Sequence, residues 1–162
     1  MTTKKINYEF RDRLNKVIGG FSHNYCYQCG ACVGDCPTHR FMPEFSPRTI
    51  ILQALYGMEE ELTGVDSLIW NCTNCYNCQE RCPQDVNPIE VIIALKNISR
   101  EKGTHLKGVD HIIRRVSETG VTVISTDLIK RRREELGLPE FKMQCEDEIS
   151  ILLTDNEIVK EA

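Results

Sequence analysis

An all-α fold is the expectation for this chain, and three observations carry it. Apolar residues recur at helical spacing in one segment after another. Those segments open and close on recognisable cap and stop residues. The short β-prone stretch Val121-Thr122-Val123-Ile124 has no partner strand anywhere in the sequence.

Residues 4–18 form an amphipathic helix, with Phe10, Leu14, Val17 and Ile18 at helical spacing and Gly19-Gly20 as its stop. A cysteine run follows, Cys26-Tyr-Gln-Cys29-Gly-Ala-Cys32-Val-Gly-Asp-Cys36-Pro37. Within it Gly30, Ala31 and Gly34 are small enough to let backbone N–H groups approach a sulfur-rich centre. Tyr25 and Tyr27 flank its first cysteine, either shielding the run from water or packing in the core.

Between Cys36 and Cys72, where a second run begins, lie 35 residues. Ser46 caps a helix with Pro47 in its first position, and Ile50, Ile51, Ala54 and Leu55 make its apolar face as far as Gly57. Glu59, Glu60 and Glu61 read as a solvated turn, and Asp66 as the cap of a short helix through Leu68, Ile69 and Trp70. The second run is Cys72-Thr-Asn-Cys75-Tyr-Asn-Cys78-Gln-Glu-Arg-Cys82-Pro83.

Beyond it, Asn87, Pro88 and Glu90 form a capping-box start. The helix they open carries Ile89, Ile92, Ile93 and Ile98 and ends near Gly103. Another helix uses Val109, Ile112, Ile113 and Val116 and stops at Gly120. A last one runs from Asp127 as cap to Leu136, with Gly137 and Pro139 as stop signals. Its basic run, Lys130 to Arg133, reads as a solvated face. The expected organisation is a helical body over 1–138 and an acidic tail over 139–162. From Glu140 onward the tail has seven acidic residues and two lysines, a net charge of −5, with Ile149, Ile151, Leu152 and Leu153 as an apolar knot. Such a tail suggests contact with a partner chain. Its Cys145 fits neither cysteine run and reads as a spare thiol.

Both runs follow C-x2-C-x2-C-x3-C-P, a pattern that holds a [4Fe–4S] cubane. Three thiolates at three-residue spacing wrap one corner of a small cluster, and the proline prevents a helix from continuing through the fourth cysteine. In two-cluster proteins the fourth cysteine serves the other cluster. Cys26, Cys29, Cys32 and Cys82 are therefore expected to hold one cluster, and Cys72, Cys75, Cys78 and Cys36 the second. Four-coordinate zinc has no use for a third cysteine at this spacing. Disulfides require an oxidising compartment, to which nothing in the sequence directs the chain. A cubane with four thiolate ligands offers no open iron for a substrate, so electron relay is the role expected of both.

The remaining features mostly exclude. The 162 residues are 41% hydrophobic and 27% charged, as in a globular protein of ordinary size. A formal net charge of −4 leaves no basic footprint for nucleic acid. MTTKKINYEF has no apolar run behind its lysines, and no apolar stretch approaches bilayer length, so a cytoplasmic protein with no membrane contact is expected. His23, His39, His105 and His111 are isolated, and no glycine-rich phosphate loop is present. No catalytic residue is assigned.

The two runs, Phe45-Ser46-Pro47-Arg48 at the head of the spacer helix, and Trp70-Asn71-Cys72-Thr73-Asn74-Cys75-Tyr76-Asn77-Cys78 together resemble the C subunits of heterodisulfide reductases. The likeness extends through the helical region to about residue 138. It implies an α-helical ferredoxin-type domain, as in the two-cluster half of fumarate reductase iron–sulfur subunits. It implies a complex with two further polypeptides, in methanogenesis. The A subunit bears flavin and bifurcates electrons, and the B subunit reduces the coenzyme M–coenzyme B heterodisulfide. A hydrogenase or formate dehydrogenase often joins them. The adjacent-cysteine signatures of the B subunit are absent here, since no two cysteines are neighbours. The competing reading is an iron–sulfur subunit of another oxidoreductase, fumarate reductase-like or glycolate-oxidase-like.

Overall fold

A computed structural model describes residues 5–104, 106–140, 148–149 and 151–152. Among them the chain is helical, with no strand. The helices are α1 (Tyr8–Lys16), α2 (Ala31–Gly34), α3 (Pro37–Phe41), α4 (Pro47–Tyr56), α5 (Glu59–Thr63), α6 (Asn77–Glu80), α7 (Pro88–Glu101), α8 (Lys107–Thr119) and α9 (Asp127–Glu135), with 3₁₀ turns at Phe21–Tyr25 and Leu68–Asn71. Cys145 and most of the tail beyond Glu140 lie outside the described residues.

The chain divides into two compact units, Met1–His105 and Leu106–Ala162. In the first unit α7 is the central element. Ile89, Val91, Ile92, Ala94, Leu95 and Ile98 are all buried, so this helix is covered on most of its circumference. Phe10 and Leu14 of α1, Ile50, Ile51 and Ala54 of α4, Leu62 of α5, and Phe45 and Ile69 complete the core. Cys26, Cys36, Cys72 and Cys82 pack against that core, which ties both cysteine runs to its surface.

Several boundaries follow the sequence signals. Ser46 Oγ accepts from Thr49 N at 3.3 Å, Pro47 follows, and Gly57 closes α4 at φ 65°. α8 stops at Gly120, φ 66°. Others differ for identifiable reasons. α1 ends at Lys16, ahead of the glycine pair. A Cβ at Gly19 would lie 2.9 Å from Glu90 Cβ, and one at Gly20 would lie 2.0 Å from the Leu14 carbonyl oxygen. The pair therefore serves close packing of the following turn against α7 and α1. Ser67, not Asp66, caps the 3₁₀ turn before the second run, and Thr126, not Asp127, caps α9. In both cases the neighbouring hydroxyl reaches the orphan N–H. Asn87 makes no side-chain cap; it adopts φ 50°, and its carbonyl accepts from Glu90 N at 2.9 Å. Asparagine tolerates this left-handed conformation, which here turns the chain sharply into α7.

Glu59 is also not part of a solvated turn. It begins α5, and its carboxylate accepts from Asn7 Nδ2 at 2.7 Å, Arg13 Nη2 at 2.7 Å and Lys102 Nζ at 3.0 Å, joining α1, α5 and the end of α7. Burial pushes its carboxyl up, but the Lys102 and Arg13 bonds outweigh that and hold it below the usual range.

In the second unit, no described residue of α8 or α9 is buried. Ile112 on the apolar side of α8 is 48% exposed. Residues 121–124 form no strand. Lys130, Arg131 and Arg132 are exposed and paired within the helix, Lys130 with Asp127 and both arginines with Glu135, as a solvated face should be, whereas Arg133 is half-buried and donates to the Pro139 carbonyl at 2.9 Å.

Candidate metal centre

Each cysteine run folds as a tight loop closing into a single helical turn, α2 in the first and α6 in the second. The loops repeat each other in backbone conformation. The residue before the second cysteine has positive φ in both, Gln28 at 63° and Asn74 at 52°. So does the residue after it, Gly30 at 86° and Tyr76 at 64°. Two such residues flanking one cysteine curl the backbone around a common centre.

The thiols gather in two sets. Cys32 stands in electrostatic range of Cys26, Cys29 and Cys82, and Tyr27 of the first loop interacts with Cys29, Cys82 and Cys26. A cavity is lined by Cys36, Cys72, Cys75 and Cys78, with Phe45, Pro47, Ile89 and Ile92 among its apolar walls. Cys78 in turn feels Cys72, Cys32, Cys75 and Cys36, so the two sets are neighbours. In each set one thiol is exposed, Cys29 or Cys75, and the others are buried or half-buried.

Hydrogen bonds reach sulfur in both. Gln28 Nε2 donates to Cys26 Sγ at 3.2 Å, and Val86 N to Cys82 Sγ at 3.3 Å. His39 N donates to Cys36 Sγ at 3.5 Å, and the backbone N–H of Asn74 donates to Cys72. Tyr25 and Tyr27 are both exposed, so neither packs in the core; the Tyr27 side chain hydrogen-bonds the Cys29 thiol.

The loops are joined directly. Asp35 and Arg81, each just before the fourth cysteine of its run, form an ion pair. Asn77 Nδ2 donates to the Asp35 carbonyl at 3.1 Å, and Thr38 Oγ1 to the Asn71 carbonyl at 3.1 Å. Lys96 of α7 reaches the second loop, donating to the Cys72 carbonyl at 3.3 Å and to Asn74 Oδ1 at 3.1 Å. Its ammonium stands 5.8 Å from the centre of the Trp70 ring. Sequence reasoning missed Lys96, although a lysine between Leu95 and Ile98 on so apolar a helix is a visible signal.

Comparison with known proteins gives these loops a family. Residues 22–86 match the family model of the 4Fe–4S dicluster domain. The C subunit of the H(2):CoB–CoM heterodisulfide,ferredoxin reductase of Methanothermobacter thermautotrophicus is 36% identical over 136 residues, covering 84% of this chain and 72% of the relative. The iron–sulfur C subunit of the CoB–CoM heterodisulfide reductase of Methanopyrus kandleri is 36% identical over 142 residues, 83% of this chain and 73% of the relative. The chain belongs to the family of heterodisulfide reductase C subunits. Another relative, the C2 subunit of the H(2)/formate:CoB–CoM heterodisulfide,ferredoxin reductase of Methanococcus maripaludis, is 39% identical over 115 residues, 71% of this chain and 61% of the relative.

This heterodisulfide reductase chain therefore carries a domain for two [4Fe–4S] clusters, and its own residues fit them. Burial first, and then Cys26, Cys29 and Cys82, push the Cys32 thiol up to about 11; burial and the thiols around it push Cys78 up to about 12. Sulfurs crowded this way resist ionising together until a cationic centre offsets their charge. Beside the second set, Trp70 Nε1 is buried without a hydrogen-bond partner among the described residues. Among those residues no helix is long and apolar enough to cross a membrane.

Proposed function

We propose that this chain is the electron-relay component of a cytoplasmic CoB–CoM heterodisulfide reductase complex. It stands between a flavin-containing, bifurcating A subunit and a B subunit that reduces the coenzyme M–coenzyme B heterodisulfide in methanogenesis. Cys26, Cys29, Cys32 and Cys82 hold one cluster; Cys72, Cys75, Cys78 and Cys36 hold the other. The observation that carries this assignment is the grouping of each loop's first three thiols with the fourth thiol of the other loop.

When bound, such clusters supply one-electron oxidation and reduction and nothing more. The chain's residues do the rest. Eight cysteines occupy the ligand positions of two cubanes, which leaves no iron open to a substrate. Phe45, Pro47, Ile89 and Ile92 keep water from the second site. Gln28, Val86, His39 and Asn74 donate to ligand sulfurs, and such bonds raise a cluster's potential. The heterodisulfide is consumed on a partner chain.

The apolar side of α8, on which only Ile112 is exposed, and the tail over 139–162 are the surfaces that meet partner subunits, with a hydrogenase or formate dehydrogenase as the more distant electron source. The test is reconstitution. The anaerobically purified chain is expected to hold about eight irons, to reduce no heterodisulfide alone, and to restore turnover when added to the A and B subunits. Turnover by the chain alone overturns the relay reading. Unchanged assembly after deletion of 139–162 removes the tail from the interface.

A further inference from the structure

The second site has a half-buried cation hydrogen-bonded to its loop. Lys96 extends from the apolar helix α7 to the second loop, where its ammonium bonds the Cys72 carbonyl at 3.3 Å and Asn74 Oδ1 at 3.1 Å, with the Trp70 ring beneath it. Both acceptors are neutral. Arg81 is paired with Asp35, and Arg13 and Lys102 share the carboxylate of Glu59. Lys96 is half-buried, so water screens it less than an exposed charge. The same Asn74 that accepts from Lys96 gives its backbone N–H to the Cys72 thiol, which binds the cation and the ligand into one small network.

The first loop has no equivalent arrangement among the described residues. Its side-chain donor to sulfur is Gln28, which is uncharged. The cation nearest to Gly30 is Arg48, whose Cδ would lie 3.8 Å from a Cβ at that position, and Arg48 is exposed to solvent. A positive charge held close to a centre favours the state that has gained an electron.

We infer that Lys96 is a potential-setting residue, which biases a single electron shared by the two sites toward the site of Cys72, Cys75, Cys78 and Cys36. The electron leaves one site oxidised and the other reduced, with no proton or bond exchanged. Lys96 thereby makes the second site the electron-rich end of the relay. This rests on the two-cluster ligation proposed above.

The experiment is a redox titration followed by electron paramagnetic resonance on the full chain with both clusters loaded, comparing wild type, Lys96→Gln, Lys96→Met and Lys96→Arg. Iron and sulfide are counted first. A wild-type chain holding fewer than about eight irons overturns the ligation reading itself, before Lys96 is in question. With loading equal, Lys96→Gln and Lys96→Met are expected to lower one midpoint potential, displacing the shared electron by about tenfold, or about 59 mV. The signal that moves should be the one that Cys75→Ala abolishes. Lys96→Arg keeps the charge and should retain the wild-type value. The inference is overturned if neither potential moves, if both move together, if the moving signal is the one lost in Cys29→Ala, or if Lys96→Arg shifts as far as Lys96→Gln. Loss of loading in both neutral variants but not in Lys96→Arg, with equal wild-type and Lys96→Arg potentials, makes Lys96 a structural strap and overturns it too.

Discussion

The two cysteine loops share a backbone and differ in what they place on it. Gly30 occupies the left-handed position after the second cysteine of the first loop, whereas Tyr76 occupies it in the second. After Pro37 the chain enters a helix, with Cys36 as its cap. After Pro83 it turns through two further residues of positive φ, Asp85 and Asn87, before α7 can start. A conformation repeated with a glycine in one copy and a tyrosine in the other follows from the turn both loops make around their cysteines rather than from local propensity. For tyrosine the left-handed region costs about 1–2 kcal/mol, which the surrounding fold must offset.

The sharpest way to break this comparison is to remove one fourth cysteine at a time. Cys36→Ala is expected to halve the iron and to abolish the same resonance signal as Cys75→Ala; Cys82→Ala should abolish the signal lost in Cys29→Ala. If Cys36→Ala instead removes the Cys29 signal, each loop fills its own site and the crossed assignment is wrong.

Next in size is a change that should affect both loops equally. Glu59→Gln leaves Arg13 and Lys102 without a charged partner and should cost about 1–2 kcal/mol of stability at neutral pH. Because the Glu59 carboxyl lies below its ordinary value, its contribution is complete above about pH 4.3 and is lost as pH falls through the folded value. The gap in thermal midpoint between wild type and Glu59→Gln should therefore close on acidification; a gap that widens contradicts the sign.

A smaller pair tests the glycine–tyrosine difference itself. Gly30→Ala should lower stability by about 1 kcal/mol, because alanine is strained at φ 86° although nothing closer than Arg48 Cδ obstructs it. Tyr76→Gly should not lower it, since relief of the backbone offsets loss of a side chain that is 42% exposed. Equal losses in both would show that side-chain contact, not conformation, governs these positions. The smallest effect is expected from Arg81→Ala. Its ion pair with Asp35 is largely solvent-exposed and should contribute under about 1 kcal/mol, measured in a double-mutant cycle with Asp35→Ala.

Much of this is legible in the sequence. The spacing of eight cysteines and two prolines announced the cluster domain, and Ser46-Pro47, Gly57 and Gly120 marked helix ends where local chemistry decides the boundary. What escaped is what depends on distant partners. Glu59 meets Asn7, Arg13 and Lys102 from three separate segments, so its neighbours in sequence suggest only a charged turn. Asn87 has the composition of a cap, but the path from Val86 into α7 requires a left-handed residue there instead.

The bonds from Thr38 to Asn71 and from Asn77 to Asp35 have a consequence for biosynthesis. A growing chain exposes its first loop well before residues 71–81 leave the ribosome, yet that loop's contacts lie with residues made later. On the crossed ligation proposed above, iron insertion into the newly synthesised polypeptide waits for both loops, and a nascent chain stalled between them should emerge without metal.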